Sequence, residues 1–211
     1  MLVWINGPFG GGKTQTAHEL RRRLPGSVVC DPEEVGFGLH RMLPRSLRGD
    51  FQDIPAWRQG VHDVLDLALR RYDGTIIAPM TLVEPDYFDE IVGRLREHGH
   101  DVRHFALLAE RETVLRRLRE RGIGHVVRWA LGREDSPVGL DSWAEAKLDL
   151  CLERLRSPVF AEHVWTDRLT VPQVADHLAA ACGLTLKPNT DGPVRGRLRR
   201  AATSVRHIRW G

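Results

Sequence analysis

The chain has 211 residues, 42% hydrophobic and 28% charged, the balance of an ordinary globular domain with one sizeable core. No apolar run reaches membrane-spanning length and Met1 opens into a strand pattern, so neither a spanning helix nor a signal peptide is expected. Cys30, Cys151 and Cys182 are odd in number and widely spaced, which argues against a disulfide framework or zinc site and for a reducing, cytoplasmic compartment.

Apolar runs alternate with helical patterns, which predicts βαβ units and a parallel sheet. The first strand, Leu2–Asn6, runs into Gly7-Pro8-Phe9-Gly10-Gly11-Gly12-Lys13-Thr14, a match to G-x-x-x-x-G-K-[ST]. A helix from Gln15 to Leu24 follows and stops at Pro25-Gly26. Ser27–Cys30 is the second strand, ended by Asp31-Pro32. Helices over Glu33–Met42 and Ala56–Tyr72 flank a polar segment from Leu43 to Pro55. The third strand is Thr75–Pro79, and a helix runs from Pro85 to His98. Val102–Leu108 is the fourth strand, and Arg111–Arg121 is a strongly basic helix. Residues 122–140 mix glycine, charge and proline with weak periodicity, the composition of a mobile lid. A helix over Asp141–Leu155, a strand over His163–Thr166 and a helix over Val171–Ala181 complete the pattern. Five parallel strands around this loop give one α/β doubly wound domain over residues 1–186, with the lid at about 122–140.

The strand, loop and helix together carry the chemistry of the motif. Gly7, Phe9, Gly10, Gly11, Gly12, Lys13, Thr14 and Gln15 are the predicted nucleotide-binding residues. A loop wrapping a polyphosphate needs backbone angles that side chains forbid, and the helix adds the positive end of its dipole. Lys13 reaches the β- and γ-phosphates, and the Thr14 hydroxyl ligates Mg²⁺. Either ATP or GTP fits, since no base-reading code is legible.

Asp31 follows strand two, so an open parallel sheet places it in the same crevice. There it can take the proton of an attacking hydroxyl or hold Mg²⁺ through water. It can equally cap the helix that starts at Pro32. Arg117 and Arg121 share one helix face and, with Arg119, offer cations to the transferring phosphoryl group or to the nucleotide. A solvated basic helix is the plainer account of the same arginines. Strand three leads into Pro79-Met80-Thr81 and not into an aspartate, which favours a small-molecule kinase over a motor. Phe51, Gln52, Trp57 and Arg58, with Thr81, have the mixed chemistry of an acceptor pocket, although lone aromatics are commonly core residues.

From Lys187 onward the character changes. Arg195, Arg197, Arg199, Arg200, Arg206 and Arg209 interleave with apolar residues at roughly helical spacing, a basic amphipathic tail over 187–211. Such a helix can lie on an anionic membrane, touch nucleic acid or pack on its own domain.

Trp4-Ile5-Asn6-Gly7, Phe9-Gly10 and Gly12-Lys13-Thr14-Gln15-Thr16-Ala17 resemble the opening of tunicamycin-resistance proteins. Asp31-Pro32-Glu33, Phe51-Gln52, Pro55, Trp57-Arg58, Pro79-Met80-Thr81, Ser157-Pro158, Phe160, Thr166-Asp167 and His207-Ile208-Arg209 extend the likeness nearly end to end. These proteins are similar to chloramphenicol-phosphotransferase-like and shikimate-kinase-like enzymes. The resemblance implies a P-loop fold of the nucleotide- and shikimate-kinase type, with a strand-two aspartate, here Asp31, as the base. It also implies phosphorylation of a sugar hydroxyl on a nucleoside antibiotic of the tunicamycin or capuramycin type. It favours the membrane surface over nucleic acid for the tail, with the protein a monomer or dimer. Two other functions fit the same residues: nucleotide-controlled sequestration of the drug at the membrane, and a metabolite kinase. Residues 122–140 are richer in glycine and charge than the family pattern.

Overall fold

The structure, a computed structural model, describes residues 1–120 and 140–190, and all side chains among them except those of 119, 120 and 140–146. Five parallel strands, β1 (Leu2–Asn6), β2 (Val28–Val29), β3 (Ile76–Pro79), β4 (Val102–Leu108) and β5 (His163–Trp165), form one sheet in the order β2-β3-β1-β4-β5. The central strand β1 is buried throughout, pairing Val3 with Ile77 on one side and with Arg103 on the other. Near-continuous apolar character fits a strand covered on both faces.

Seven helices in the described residues supply the cover. They are α1 (Lys13–Arg23), α2 (Glu33–Met42), α3 (Pro55–Arg71), α4 (85–97), α5 (Arg111–Glu120), α6 (Leu140–Leu155) and α7 (Val171–Ala181). Strand alternation divides the core in two. Leu2, Trp4, Ile76, Ala78, Ala106 and Leu108 meet α3, α4 and the end of α6 on one face. Val3, Ile5, Ile77, Phe105 and Leu107 meet Ala17 and Leu20 of α1 and Val174 to Ala179 of α7 on the other.

The strands and helices expected within the described residues are present, with local differences that have physical causes. α1 begins at Lys13, two residues earlier than its periodicity suggests, because Gly12 already takes the cap position with φ 94°. The helix expected over 85–98 is broken internally by a π-turn at Asp89–Gly93, between Pro85–Phe88 and Arg94–Glu97. The polar segment before α3 contains two short 3₁₀ turns, Arg45–Leu47 and Phe51–Asp53. The second is capped by Asp50, whose Oδ1 accepts the Gln52 N–H at 3.1 Å.

The buried Arg23 closes the far end of α1. Its Nη2 lies 2.6 Å from Asp176 of α7, and its Nε donates to the Lys187 carbonyl at 2.8 Å. The Lys187 N–H donates back to the Arg23 carbonyl at 2.8 Å, and Arg22 reaches Asn189 at 2.8 Å. The first residues assigned to the tail are therefore docked on the domain. Residues 191–211 lie outside the described part, and the expected amphipathic helix with them.

His104 of β4 is enclosed by the rings of Phe88 and Phe160, with centroids at 4.6 and 6.3 Å. Its Nδ1 donates to the Ala161 carbonyl at 3.0 Å. Burial pushes its pKa down to about 4, so the folded ring is neutral where the unfolded one, near 6.5, takes a proton. Its contribution to stability is present above about 6.5 and is lost as pH falls towards 4. His104→Phe keeps the aromatic packing and leaves one carbonyl unpaired. The variant is expected to have a lower melting temperature at pH 8 but a flatter decline between pH 6.5 and 4, measured by circular dichroism across that range.

Candidate active site

The loop after β1 is closed by the Gly11 N–H donating to the Pro8 carbonyl at 2.9 Å. Gly10 has φ 76°, and a Cβ there would meet Leu118 of α5 at 2.9 Å, so only glycine lets the loop rest on that helix. Gly12 offers no side-chain cap to α1, whose ladder begins with the Thr16 N–H on the Gly12 carbonyl at 2.9 Å. A helix start of this kind, with no acid in its first turn, is an anion site in chemistry and in dipole. Lys13 is buried beside it, its Nζ donating to the Pro8 carbonyl at 3.0 Å and lying 5.7 Å from the Phe9 ring centroid. Thr14 is half-buried in the first turn, and Gln15 is buried.

Two side chains hold this loop in place. Asn6, fully buried at the end of β1, accepts the Gly7 N–H at 2.8 Å and the Leu82 N–H at 3.0 Å on Oδ1, and its Nδ2 donates to the Leu82 carbonyl at 2.6 Å. Thr81 donates to the Gly7 carbonyl at 2.9 Å. Both polar groups of the first loop residue are thus tied to the chain that leaves β3. Thr81, expected in the acceptor pocket, is buried and acts through Gly7. Asn6 was not among the expected site residues. Its signal was a lone amide closing an otherwise apolar strand.

On the acceptor side, Asp31 Oδ1 accepts the Glu33 N–H at 3.0 Å, an Asx-type cap at the entry to α2. Glu33 is the residue that sequence reasoning missed. Burial and the neighbouring Asp31 carboxylate push its pKa up to about 7, with Lys13 pulling the other way. Two carboxyl groups and the loop lysine therefore share one electrostatic neighbourhood. Trp57, expected to line the pocket, is 0% exposed in the core, where its indole N–H donates to the Pro32 carbonyl at 3.1 Å. It supports the Asp31–Glu33 turn from behind.

Arg58 is likewise structural. Its Nη1 donates to the Gln52 carbonyl at 2.6 Å, its Nε meets Glu90 at 2.6 Å, and its guanidinium stacks 4.1 Å from the Tyr87 ring. Trp57, Arg58 and Thr81, expected in the acceptor pocket, are all buried, and their polar groups hold the Pro32, Gln52 and Gly7 carbonyls. Phe51 and Gln52 are half-buried at the crevice side. The Phe51 ring lies so close to Gly36 of α2 that a Cβ there would approach to 2.6 Å.

Arg117 donates from Nη1 to Thr166 Oγ1 at 3.0 Å and from Nη2 to the Thr166 carbonyl at 2.7 Å, which ties α5 to the end of β5. The expected contributions of Arg121, of the Arg119 side chain and of the lid at 122–140 fall outside the described residues. Among the described residues no group of three His, Cys, Asp or Glu side chains is arranged to hold a metal ion.

The AAA domain family model matches residues 2–128. No curated protein sequence matches the chain. Among solved structures, the tunicamycin resistance protein of Deinococcus radiodurans is 34% identical, with a TM-score of 0.70 over 89% of this chain and 98% of that one. A gluconokinase from Sinorhizobium meliloti is 15% identical, with a TM-score of 0.55 over 98% and 97%. A shikimate kinase from Bacteroides thetaiotaomicron is 14% identical, with a TM-score of 0.55 over 87% and 99%. The last two share the fold, that of P-loop small-molecule kinases. With a family model over more than half of its length and a relative 34% identical nearly end to end, the chain belongs to the AAA domain family and to that of the tunicamycin resistance proteins.

Proposed function

We propose that this protein is a cytoplasmic phosphotransferase that moves the γ-phosphoryl group of ATP or GTP to a sugar hydroxyl of a nucleoside antibiotic of the tunicamycin or capuramycin type, and so inactivates it. The observation that carries this reading is that Lys13, at the start of α1, and the Asp31 carboxylate both act electrostatically on the buried Glu33 carboxyl group. The kinship with a tunicamycin resistance protein supplies the class of acceptor.

In this reading, Gly7 to Gln15 hold the triphosphate tail through backbone N–H groups and the dipole of α1. Lys13 leaves the Pro8 carbonyl for the β- and γ-phosphates. The Thr14 hydroxyl, with Asp31 behind it, fits a Mg²⁺ ion, which would supply charge neutralisation on the phosphates. Phe51 and Gln52 form the acceptor wall, with Trp57 and Arg58 behind it. The acceptor hydroxyl gives its proton to the Asp31–Glu33 pair as its oxygen bonds to the γ-phosphorus. The bond from that phosphorus to the β-bridging oxygen breaks, and the nucleoside diphosphate carries the electron pair away.

Glu33 is the member of the pair poised near neutrality and therefore suited to accept a proton at physiological pH. Arg117, Arg119 and Arg121 belong to the cationic side of the same site. The basic tail over 187–211 supports peripheral contact with an anionic membrane.

Mass spectrometry of tunicamycin and capuramycin after incubation with each nucleotide tests the reading. A gain of one phosphate is expected, and unchanged drug with tight nucleotide-dependent binding would select sequestration instead. Asp31→Asn and Glu33→Gln are each expected to leave nucleotide affinity within about twofold while turnover falls by roughly 10²-fold or more. Turnover of the wild type is expected to rise with pH through about 7, as Glu33 loses its proton. In Asp31→Asn the residual activity should inflect at lower pH, because the like charge that raises Glu33 is gone. An unmoved inflection would separate the two carboxyl groups.

A further inference from the structure

Phosphoryl transfer needs positive charge on more than one side of the transferring group. Lys13 supplies one side. Arg117, on the cationic side of the site, is held on Thr166 at the end of β5.

The crossover from β4 to β5 runs α6 antiparallel to the strands, with its N-terminal half at their carboxyl ends. Two contacts fix its height. Asp149 meets Arg111, just beyond β4, at 2.7 Å, and Arg154 pairs with Glu84 in the chain leaving β3. Leu148 and Leu152 pack with Ala109 and Val114. Lys147 therefore stands above the strand ends on a docked stretch of helix. Its Nζ reaches Asp50 Oδ2 at 3.4 Å, the same aspartate that caps the Phe51–Asp53 turn on the acceptor side. One turn further along α6, on the same face, Cys151 is buried beneath the crevice. Burial pushes the Cys151 thiol up to about 11 against the pull of two ammonium groups, Lys13 and Lys147. Both lysines, one from the loop and one from α6, are therefore near enough to the thiol to act on it through their charge.

We propose that Lys147 is a second catalytic cation, which swings from Asp50 to the γ-phosphoryl oxygens opposite Lys13 when the triphosphate is bound. This rests on the phosphotransferase reading and names a residue that reading does not include. The pair with Asp50 is long and partly solvated, which makes that ion pair a weak one. The acidic side of the crevice, Asp31, Glu33 and Asp50, would otherwise repel the triphosphate. Lys147 changes that balance only after it lets go of its own carboxylate. The swing also uncovers Asp50 and the turn carrying Phe51 and Gln52, which couples donor binding to the acceptor wall.

Calorimetric titration of the full chain with AMPPNP and with ADP, in the presence of Mg²⁺, tests this without any acceptor. The guanine pair is substituted if guanine nucleotides bind more tightly. Lys147→Met is expected to weaken the triphosphate analogue about tenfold and leave the diphosphate unchanged, as loss of a charge-assisted contact to the γ-phosphate alone requires. Lys147→Arg should restore most of the difference, and Asp50→Asn should bind the analogue as tightly as the wild type or more so. A Lys147→Met protein with an unchanged ratio of the two affinities overturns the proposal while leaving the phosphotransferase reading intact. So does an Asp50→Asn protein that loses the analogue as Lys147→Met does, since the pair would then be a structural strap. A wild-type chain that binds neither nucleotide overturns both.

Discussion

The hold that Asn6 and Thr81 keep on Gly7 is the constraint from which the rest of the site follows. A glycine-rich loop has many conformations in the unfolded chain, and ordering each residue costs about 1–2 kcal/mol of backbone entropy. Here the first residue of the loop is fixed at both its N–H and its carbonyl, by a side chain at the end of β1 and one in the chain leaving β3. Asn6 spends its whole amide on this, bridging Gly7 and both polar groups of Leu82. Such a fully satisfied buried network transmits the order of the sheet into a segment with no regular structure of its own. From that fixed origin the loop has one more support, the Leu118 side chain of α5 against Gly10. Helix α5 and the glycine-rich loop are therefore in direct contact.

The acceptor side is built by the same logic of indirect support. Trp57 and Arg58 fill the space behind the Asp31–Glu33 turn and behind Gln52, and the polar groups of both are bonded within the protein. What they hold in place is backbone: the Pro32 carbonyl through Trp57, and the Gln52 carbonyl through Arg58. With that backbone fixed, the two carboxyl groups at the entry to α2 sit close enough for one to raise the other. A polar site whose charges oppose each other is stable only where the surroundings leave no room to relax.

Much of this was legible in the residues. The P-loop, the five strands and nearly every helix boundary are carried by strong local signals: apolar runs of strand length, Gly and Pro at breaks, and helical periodicity between. The site was legible as a set of segments and less so as a set of contacts. Trp57 and Arg58 lie in the first turn of α3, but sequence cannot say which way a helix turns its aromatic and guanidinium groups. Asn6 was read as the end of a strand because a single amide has no pattern. Glu33 was read as a helix-start acid because its raised pKa arises from the approach of Asp31, Lys13 and burial, all of them tertiary. Lys147 lay hidden in a helix whose weak amphipathicity gives no hint of the face that meets Asp50.

Arg23 gives α1 a second purpose. The helix begins at the phosphate cradle and ends, about 16 Å away at 1.5 Å per residue, in a clasp that grips Asp176 and the chain at Lys187. The clasp and the glycine-rich loop are thus the two ends of one rigid rod, and a displacement of the chain at Lys187 is carried along it to Gly12 and Lys13.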